Sequence, residues 1–390
     1  MAREGEPRKS WHARCAAALL GLMVASGAGA QQQAAAGGEV VIGQVAPLSG
    51  VLASTGEQMV LGRRIYFDAV NDQGGVNGAR IRHKVVDDGY KVEETVRLTK
   101  DLLARPDTVA LFGFAGTANI AKLLDEGVLE RGGAALVAPY TGGEPLRNPF
   151  NPWIFHVRAG YGDEAEHMVQ QVTTLGLNRI AVMYQDDAFG KAGLAGVEAA
   201  LKKRGLQLVT AAGYERNTDK VDGAVQAIKA SDAQAVIMIA INKPAAAFIK
   251  RYREAGGGAQ LFNISVVDPA ELVKAAGLAN ARGLGISQVV PYPYRPGLPA
   301  VGEYHQLLKK YAPGQEPNYT SFEEFLGAKV LVEALRRAGA APTRARVMRA
   351  LESMGNHDLG GVFVNFSSAN RIGSRYVEVT VIGSSGKLLK

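Results

Sequence analysis

From residue 40 onward the sequence alternates short apolar runs with segments whose apolar residues recur at helical spacing, and nothing else constrains its fold as strongly. Val40, Val41, Ile42 and Val45 form the first run. Residues 57–71 then place Val60, Leu61, Ile65 and Ala69 on one helical face, and Gly74-Gly75 ends that helix as a left-handed C-terminal position requires. Val85-Val86 marks the next strand, residues 92–104 the next helix, and residues 108–112 a third strand, followed by a helix over 118–130 and a strand over 134–137. A second series begins after the Pro/Asn-rich stretch 145–152. Its strands are predicted at 180–184, 206–210, 235–239 and 261–264, and its helices at 163–174, 191–204, 220–230 and 243–255. Repeated βα units with near-continuous apolar strands predict parallel sheets covered by helices on both faces. Two such series predict an α/β chain of two doubly wound lobes. In that architecture ligands bind beyond the carboxyl ends of strands, and the cleft between lobes is the expected site.

The first 30 residues do not belong to this pattern. Arg3, Arg8, Lys9 and Arg14 precede a short apolar stretch, and Ala28-Gly29-Ala30 has the small-residue form of a cleavage site. Residues 1–30 therefore read as a secretory signal peptide, and 31–38 as a flexible Gln/Ala/Gly leader. The one cysteine, Cys15, lies inside the signal and is badly placed for lipid attachment, so the mature chain is expected to have no thiol or disulfide chemistry. Cleavage removes four basic and two acidic residues, taking the net charge from +7 to +5. The basic residues are dispersed, with no run of five or six, and export argues against a nucleic-acid partner. A periplasmic location is expected.

Signatures of covalent chemistry are sparse. There is no G-x-S-x-G, no Walker A sequence and no H-E-x-x-H. His83, His156, His167, His305 and His357 are scattered, without helical metal-ligand spacing. Neither enzyme activity, a metal nor a cofactor is expected. What remains is a set of small and hydroxylic residues at three strand-to-helix turns: 48–56, Gly116-Thr117-Ala118-Asn119, and Ala138-Pro139-Tyr140-Thr141-Gly142-Gly143. Each leads toward a helix N-terminus, where free backbone N–H groups favour an anion. One such turn reads as ordinary helix capping. Three on one sheet edge predict a cradle of carboxylate size.

The order Ala46-Pro47-Leu48-Ser49-Gly50, then 62–71, then Gly74-Gly75-Val76-Asn77-Gly78 resembles the opening of the leucine/isoleucine/valine-binding protein family, the type I periplasmic solute-binding proteins of ABC transporters. Asp87-Asp88, Pro139-Tyr140-Thr141, the block from Tyr184 to Gly190, and Tyr319-Thr320 follow the same pattern across the mature chain. The resemblance implies two lobes that close on ligand about a hinge of three crossings, near 155–158, 287–290 and 359–362. It divides the chain into lobe 1 (39–156 with 289–359) and lobe 2 (157–288 with 360–390). Carried over by position, the loop from Ser49 to Thr55 borders the cleft, with Thr55 where the family often has an aromatic. Thr117 matches a hydroxyl donor to the ligand carboxylate, and Tyr140, Thr141 and Gly142 contact the ligand's head group. From lobe 2, Phe189 matches an aromatic that closes over the ligand, and Asn242 stands where many members have another.

One departure from the family bears on the ligand. Amino-acid-binding members hold the α-ammonium with an acid at the position of Ser265. A serine there leaves that charge unpaired in a desolvated cleft. The expected ligand therefore keeps a carboxylate and lacks an α-ammonium, unless Asp268 or Asp187 supplies the missing acid; amino acids are the alternative class. Arg158 is read either as reaching an anionic ligand or as structural pairing at a crossing, and Pro291-Tyr292-Pro293-Tyr294 either as aromatic cleft surface or as a rigid loop. The expected partner is an inner-membrane ABC permease and the expected state a monomer; the alternative is a ligand-sensing receptor feeding a signalling partner.

Overall fold

The computed structural model describes residues 38–390, so the expected signal peptide with Cys15, and the leader up to residue 37, lie outside the described residues. In the first sheet β1 (Glu39–Ala46) is buried from its second residue to its last, as a strand covered on both faces must be. Its companions are β2 (Arg80–Asp87), β3 (Thr108–Phe112), β4 (Leu136–Val137) and β5 (Ile154–Phe155), all parallel in the order β2-β1-β3-β4-β5. The connections run through α1 (Ala53–Asp72), α2 (Val92–Leu103), α3 (Thr117–Asp125) and α4 (Val128–Gly132). The single helix expected over 118–130 is broken because Gly127 turns left-handed, at φ 58°.

The second sheet repeats the design. Helix α5 (Tyr161–Thr174) leads to β6 (Ile180–Gln185), α6 (Ala188–Lys202), β7 (Thr210–Tyr214), α7 (Asp222–Ala230), β8 (Ala235–Ile239) and α8 (Asn242–Glu254). Next come β9 (Gln260–Asn263), α9 (Pro269–Ala276), α10 (Leu278–Ala281) and β10 (Gly285–Gln288), the parallel strands lying in the order β7-β6-β8-β9-β10. In both sheets the order reverses beside the first strand, which opens a crevice at the carboxyl ends of β1 and β3 and of β6 and β8. Strand β7 sits four residues later than the apolar run at 206–210 suggests. It is an edge strand whose burial alternates, so Thr-Ala-Ala-Gly-Tyr carries no continuous apolar signal, while Leu206 and Leu208 pack against the core from outside the sheet.

After β10 the chain returns to the first sheet's side through α11 (Pro299–Tyr311), α12 (Tyr319–Ala338) and α13 (Arg344–Glu352), with α12 packed along α1. That packing is backbone-close: a Cβ on Gly62 would stand 2.0 Å from the Ser321 carbonyl oxygen. The expectation of a third crossing at 359–362 is corrected here. Strands β11 (Gly355–Asp358) and β12 (Phe363–Phe366) pair as a hairpin, and 359–362 is its turn. Asp358 accepts hydrogen bonds from the N–H groups of Gly360 and Gly361, both at positive φ, which fixes a tight turn instead of a crossing. The chain then runs beside the first crossing, where Ile372 bridges His156. It joins the second sheet only at β13 (Glu378–Ile382), antiparallel to β10 and followed by antiparallel β14 (Leu388–Leu389). The second sheet is thus parallel except along this edge.

Candidate functional site

The loops beyond the strand ends of both sheets meet around one small cavity. Leu52, Tyr90, Ala115, Gly116 and Tyr140 come from the loops after β1 to β4, and Tyr161, Phe189, Ile241 and Val266 face them from the second lobe. The cavity measures about 20 Å³, and Tyr161 meets Phe189 edge to face with ring centroids 5.5 Å apart. A larger cavity of about 670 Å³ opens elsewhere, walled by Val157, Val290, Leu326 and Tyr292 among others. Its walls follow β5 and β10, away from both switch points, so the smaller one, where both switch points meet, is the candidate site. The Pro291–Tyr294 loop belongs to the larger cavity: Tyr292 is in its wall, and both tyrosines pack edge to face against Tyr319.

At the polar end, Gly116, which is in the cavity lining, opens α3 at φ 94° with no side-chain cap, so the first-turn N–H groups of that helix have no side-chain acceptor at the N-cap. Thr117 and Thr141 are buried and share a hydrogen bond of 2.7 Å between their hydroxyls. Tyr140 lines the cavity and its hydroxyl meets the Thr320 hydroxyl at 3.1 Å, while the Gly142 carbonyl accepts from the Tyr161 N–H. Phe189 lines the opposite wall. Thr55 and Asn242 are not in the lining but touch across the cleft at 3.5 Å, and Asn242 also donates to Glu271, which holds Ser54. Ser49 is not in the lining: it is exposed and hydrogen-bonds the Asp87 carboxylate, whose proton affinity it helps to lower. Sequence reasoning covered Leu52 only as part of the Ser49–Thr55 loop and passed over Tyr90, Tyr161, Ile241 and Val266. Tyr90 was findable, since it follows Asp87-Asp88-Gly89 at a strand end equivalent to the other cleft loops.

Ser265 is buried beneath the site and fully engaged. Its backbone N–H donates to Glu164 at 2.8 Å, its hydroxyl to the same carboxylate at 3.0 Å, and the Arg158 guanidinium contacts that hydroxyl. Glu164 also accepts from Ser287 at 2.5 Å and pairs with Arg158 at 3.3 Å. One carboxylate thereby ties the first crossing to the ends of β9 and β10. Arg158 is fully buried, faces Glu323 at 3.5 Å, and lies over the Tyr140 and Tyr161 rings at 5.1 and 6.0 Å. In this structure it is paired with Glu164 and Glu323 under the aromatic floor, with Nε and Nη1 lacking a hydrogen-bond partner. The two acids considered as replacements at the ammonium position differ in commitment, since Asp187 is ion-paired and Asp268 is engaged through one oxygen only. Asp187 caps α6 and pairs with Arg216 at 2.8 Å; Asp268 caps α9 through the N–H groups of Ala270 and Glu271.

Burial pushes the Glu323 carboxyl up to about 7, against the opposing pull of Arg158. The folded protein therefore binds a proton that the unfolded chain releases near its ordinary value of about 4.5, and stability falls as pH rises through that interval. Glu323→Gln is expected to remove up to about 3 kcal/mol of this decline between pH 5 and 8. Denaturant unfolding of both proteins across that range checks it; parallel curves would refute the assignment.

The profile of periplasmic binding proteins matches residues 39–387, nearly the whole described chain. The chain belongs to the type I periplasmic binding protein family. Its structure superposes on a substrate-binding periplasmic protein from Ralstonia solanacearum with a TM-score of 0.86 at 39% identity, covering 90% of this chain and 99% of that one. An extracellular ligand-binding receptor from Verminephrobacter eiseniae gives a TM-score of 0.84 at 31% identity, covering 90% and 100%. Among curated relatives, the Leu/Ile/Val-binding protein homolog 7 of Brucella abortus is 26% identical over 329 residues, 78% of each chain. As a periplasmic binding protein the chain binds a small molecule and is not an enzyme.

Proposed function

We propose that the protein is the periplasmic receptor of an ABC transporter and captures a small carboxylate-bearing solute that lacks an α-ammonium, an aromatic or aliphatic acid. The carboxylate lies against the first turn of α3 and the turn from Tyr140 to Gly142. The body of the ligand displaces the Tyr161–Phe189 contact and packs among Tyr90, Tyr140, Tyr161 and Phe189. One observation supports this ligand class above others: the two most deeply placed acids near the cavity, Glu164 and Asp187, are already ion-paired, and the other two are engaged by neutral donors. Glu164 is spent on Arg158, Ser265 and Ser287, Asp187 on Arg216 and a helix cap, and Asp268 on a helix cap. Glu271, at the lip, holds Ser54 and Asn242. An ammonium entering the site would find Glu164 and Asp187 already neutralised by arginines. Asp268 and Glu271, which accept only neutral donors, are the carboxylates it would have to reach, and without them it would lose its water at a cost of several kcal/mol.

Function then follows from closure without covalent chemistry. Ligand favours the closed state only by the contacts it adds from the second lobe, from Tyr161, Phe189, Ile241 and Val266, and the permease reads the arrangement of both lobes. A thermal-shift panel of leucine, valine and phenylalanine beside benzoate, phenylacetate and hexanoate tests the ligand class. A carboxylate at about 100 times its dissociation constant adds about 2.7 kcal/mol, several degrees in midpoint. A shift with an ammonium-free acid and none with the amino acids is expected. A shift with leucine that Glu271→Gln abolishes would make Glu271 the ammonium partner and overturn the reading.

A further inference from the structure

Arg216 stands in the loop between β7 and α7 of the second lobe, outside the cavity lining, yet its guanidinium touches three elements that build the cavity. Nη2 donates to the Tyr90 carbonyl at 2.7 Å and to Asn119 Oδ1 at 2.6 Å, both in the first lobe. Nη1 donates to Asp187 at 2.8 Å, the residue that caps α6 one position before Ala188 and two before Phe189. The plane also covers the Tyr90 ring, 4.0 Å from its centroid. We infer that Arg216 is the clasp of the cleft, a positioning residue that holds the lobes closed and fixes Tyr90, the α3 entrance and Phe189 in their ligand-facing places.

The acceptors on the first lobe are preset. Asn119 donates its own amide to Thr95 at 2.7 Å, which leaves Oδ1 turned toward the cleft. Asp88 holds the Tyr90 N–H at 2.9 Å and the Thr95 hydroxyl at 2.5 Å, so the Tyr90 carbonyl is presented by a buried, hydrogen-bonded turn. On the second lobe, Asp187 orients the guanidinium before closure, because their ion pair lies within one lobe. Closure therefore costs Arg216 little rotamer entropy. It gains two hydrogen bonds from a charged donor and a stacked aromatic face, in a place where both Arg216 and Asp187 are mostly buried. Contacts elsewhere along the cleft include single hydrogen bonds, from Ser54 to Glu271, Asn242 to Thr55 and Gln185 to Tyr90. A lysine at 216 keeps the charge and loses both the fork and the stacking plane.

The inference rests on the binding-cleft reading, and its test needs no ligand. With Cys15 replaced by serine, spin labels at Glu57→Cys on α1 and Lys274→Cys on α9 report the distance between lobes; both native side chains are exposed. The parent protein is expected to show a short-distance population. Arg216→Ala should lower its closed-to-open ratio roughly thirtyfold, the effect of truncating one partner of a buried charged hydrogen-bond set. Arg216→Lys should fall between the two, with all three proteins melting cooperatively. A parent distribution without the short population, or an Arg216→Ala distribution that coincides with the parent's, overturns the clasp. Silence in the ligand panel with a shifted distance would instead fault the proposed ligand class and leave the clasp standing.

Discussion

Glu164→Ala is expected to lower the unfolding free energy by about 3–5 kcal/mol, the cost of leaving a buried charge without its partner. Glu164 is fully buried and is the acceptor for Arg158, for Ser265 through both backbone and hydroxyl, and for Ser287. Without it, Arg158 keeps only Glu323, 3.5 Å away. Four buried donors, from Arg158, the Ser265 N–H and hydroxyl, and the Ser287 hydroxyl, lose this acceptor at the same time. Because these donors belong to the ends of β9 and β10 and to the first crossing, the loss also loosens the hinge. Glu164→Gln keeps an acceptor for the Ser265 N–H but removes the charge, and its penalty should lie between parent and alanine. Chemical denaturation of the three proteins at pH 7 orders them. An alanine variant within 1 kcal/mol of the parent would mean that Arg158 finds another partner and that Glu164 does not hold the hinge.

The second large effect is on binding. Gly116→Ala is expected to weaken capture of the carboxylate that gives the largest thermal shift by at least about a hundredfold, the factor that roughly 3 kcal/mol represents. Gly116 sits at φ 94°, a conformation that costs a residue with a Cβ on the order of 1–3 kcal/mol. The added carbon would stand 2.5 Å from Asn119 Oδ1 and 2.8 Å from the Tyr90 ring, so it also disturbs the two groups that Arg216 grips. Either relief, turning the α3 entrance or displacing Tyr90, moves the donors away from the carboxylate position. Titration calorimetry of parent and variant measures the loss, with circular dichroism to show that the variant is folded. Retained affinity in a folded variant would place the carboxylate somewhere other than the start of α3.

Local pattern carried most of the architecture. The strand at 235–239 is apolar throughout, and the run from Val40 to Val45 is interrupted only at Gly43-Gln44, because helices cover both faces, and such strands announce themselves. Strand β7 did not, since an edge strand needs apolar residues on one face only. The hairpin at 355–366 was missed for a related reason: Gly360-Gly361 signals a turn, and a turn and a crossing look alike until the partner strand is known. Within the site, the small and hydroxylic turns at Gly116-Thr117 and Tyr140-Gly142 were legible from their place after strands. Ser49, in an equivalent turn, was legible too but points to Asp87 instead.

By itself, the sequence determined that this chain builds two doubly wound sheets and places its polar turns at their carboxyl ends. Those properties depend on residues a few positions apart, whose burial or backbone freedom is set by the element they occupy. Only the tertiary structure decided which side chains those turns would meet. Ser265 lies 107 residues from Arg158, and Arg216 lies 126 from Tyr90. Whether an acid near the cleft is free to take an ammonium depends on such partners. They are brought together by the crossings and by closure of the lobes, and no spacing along the chain encodes them.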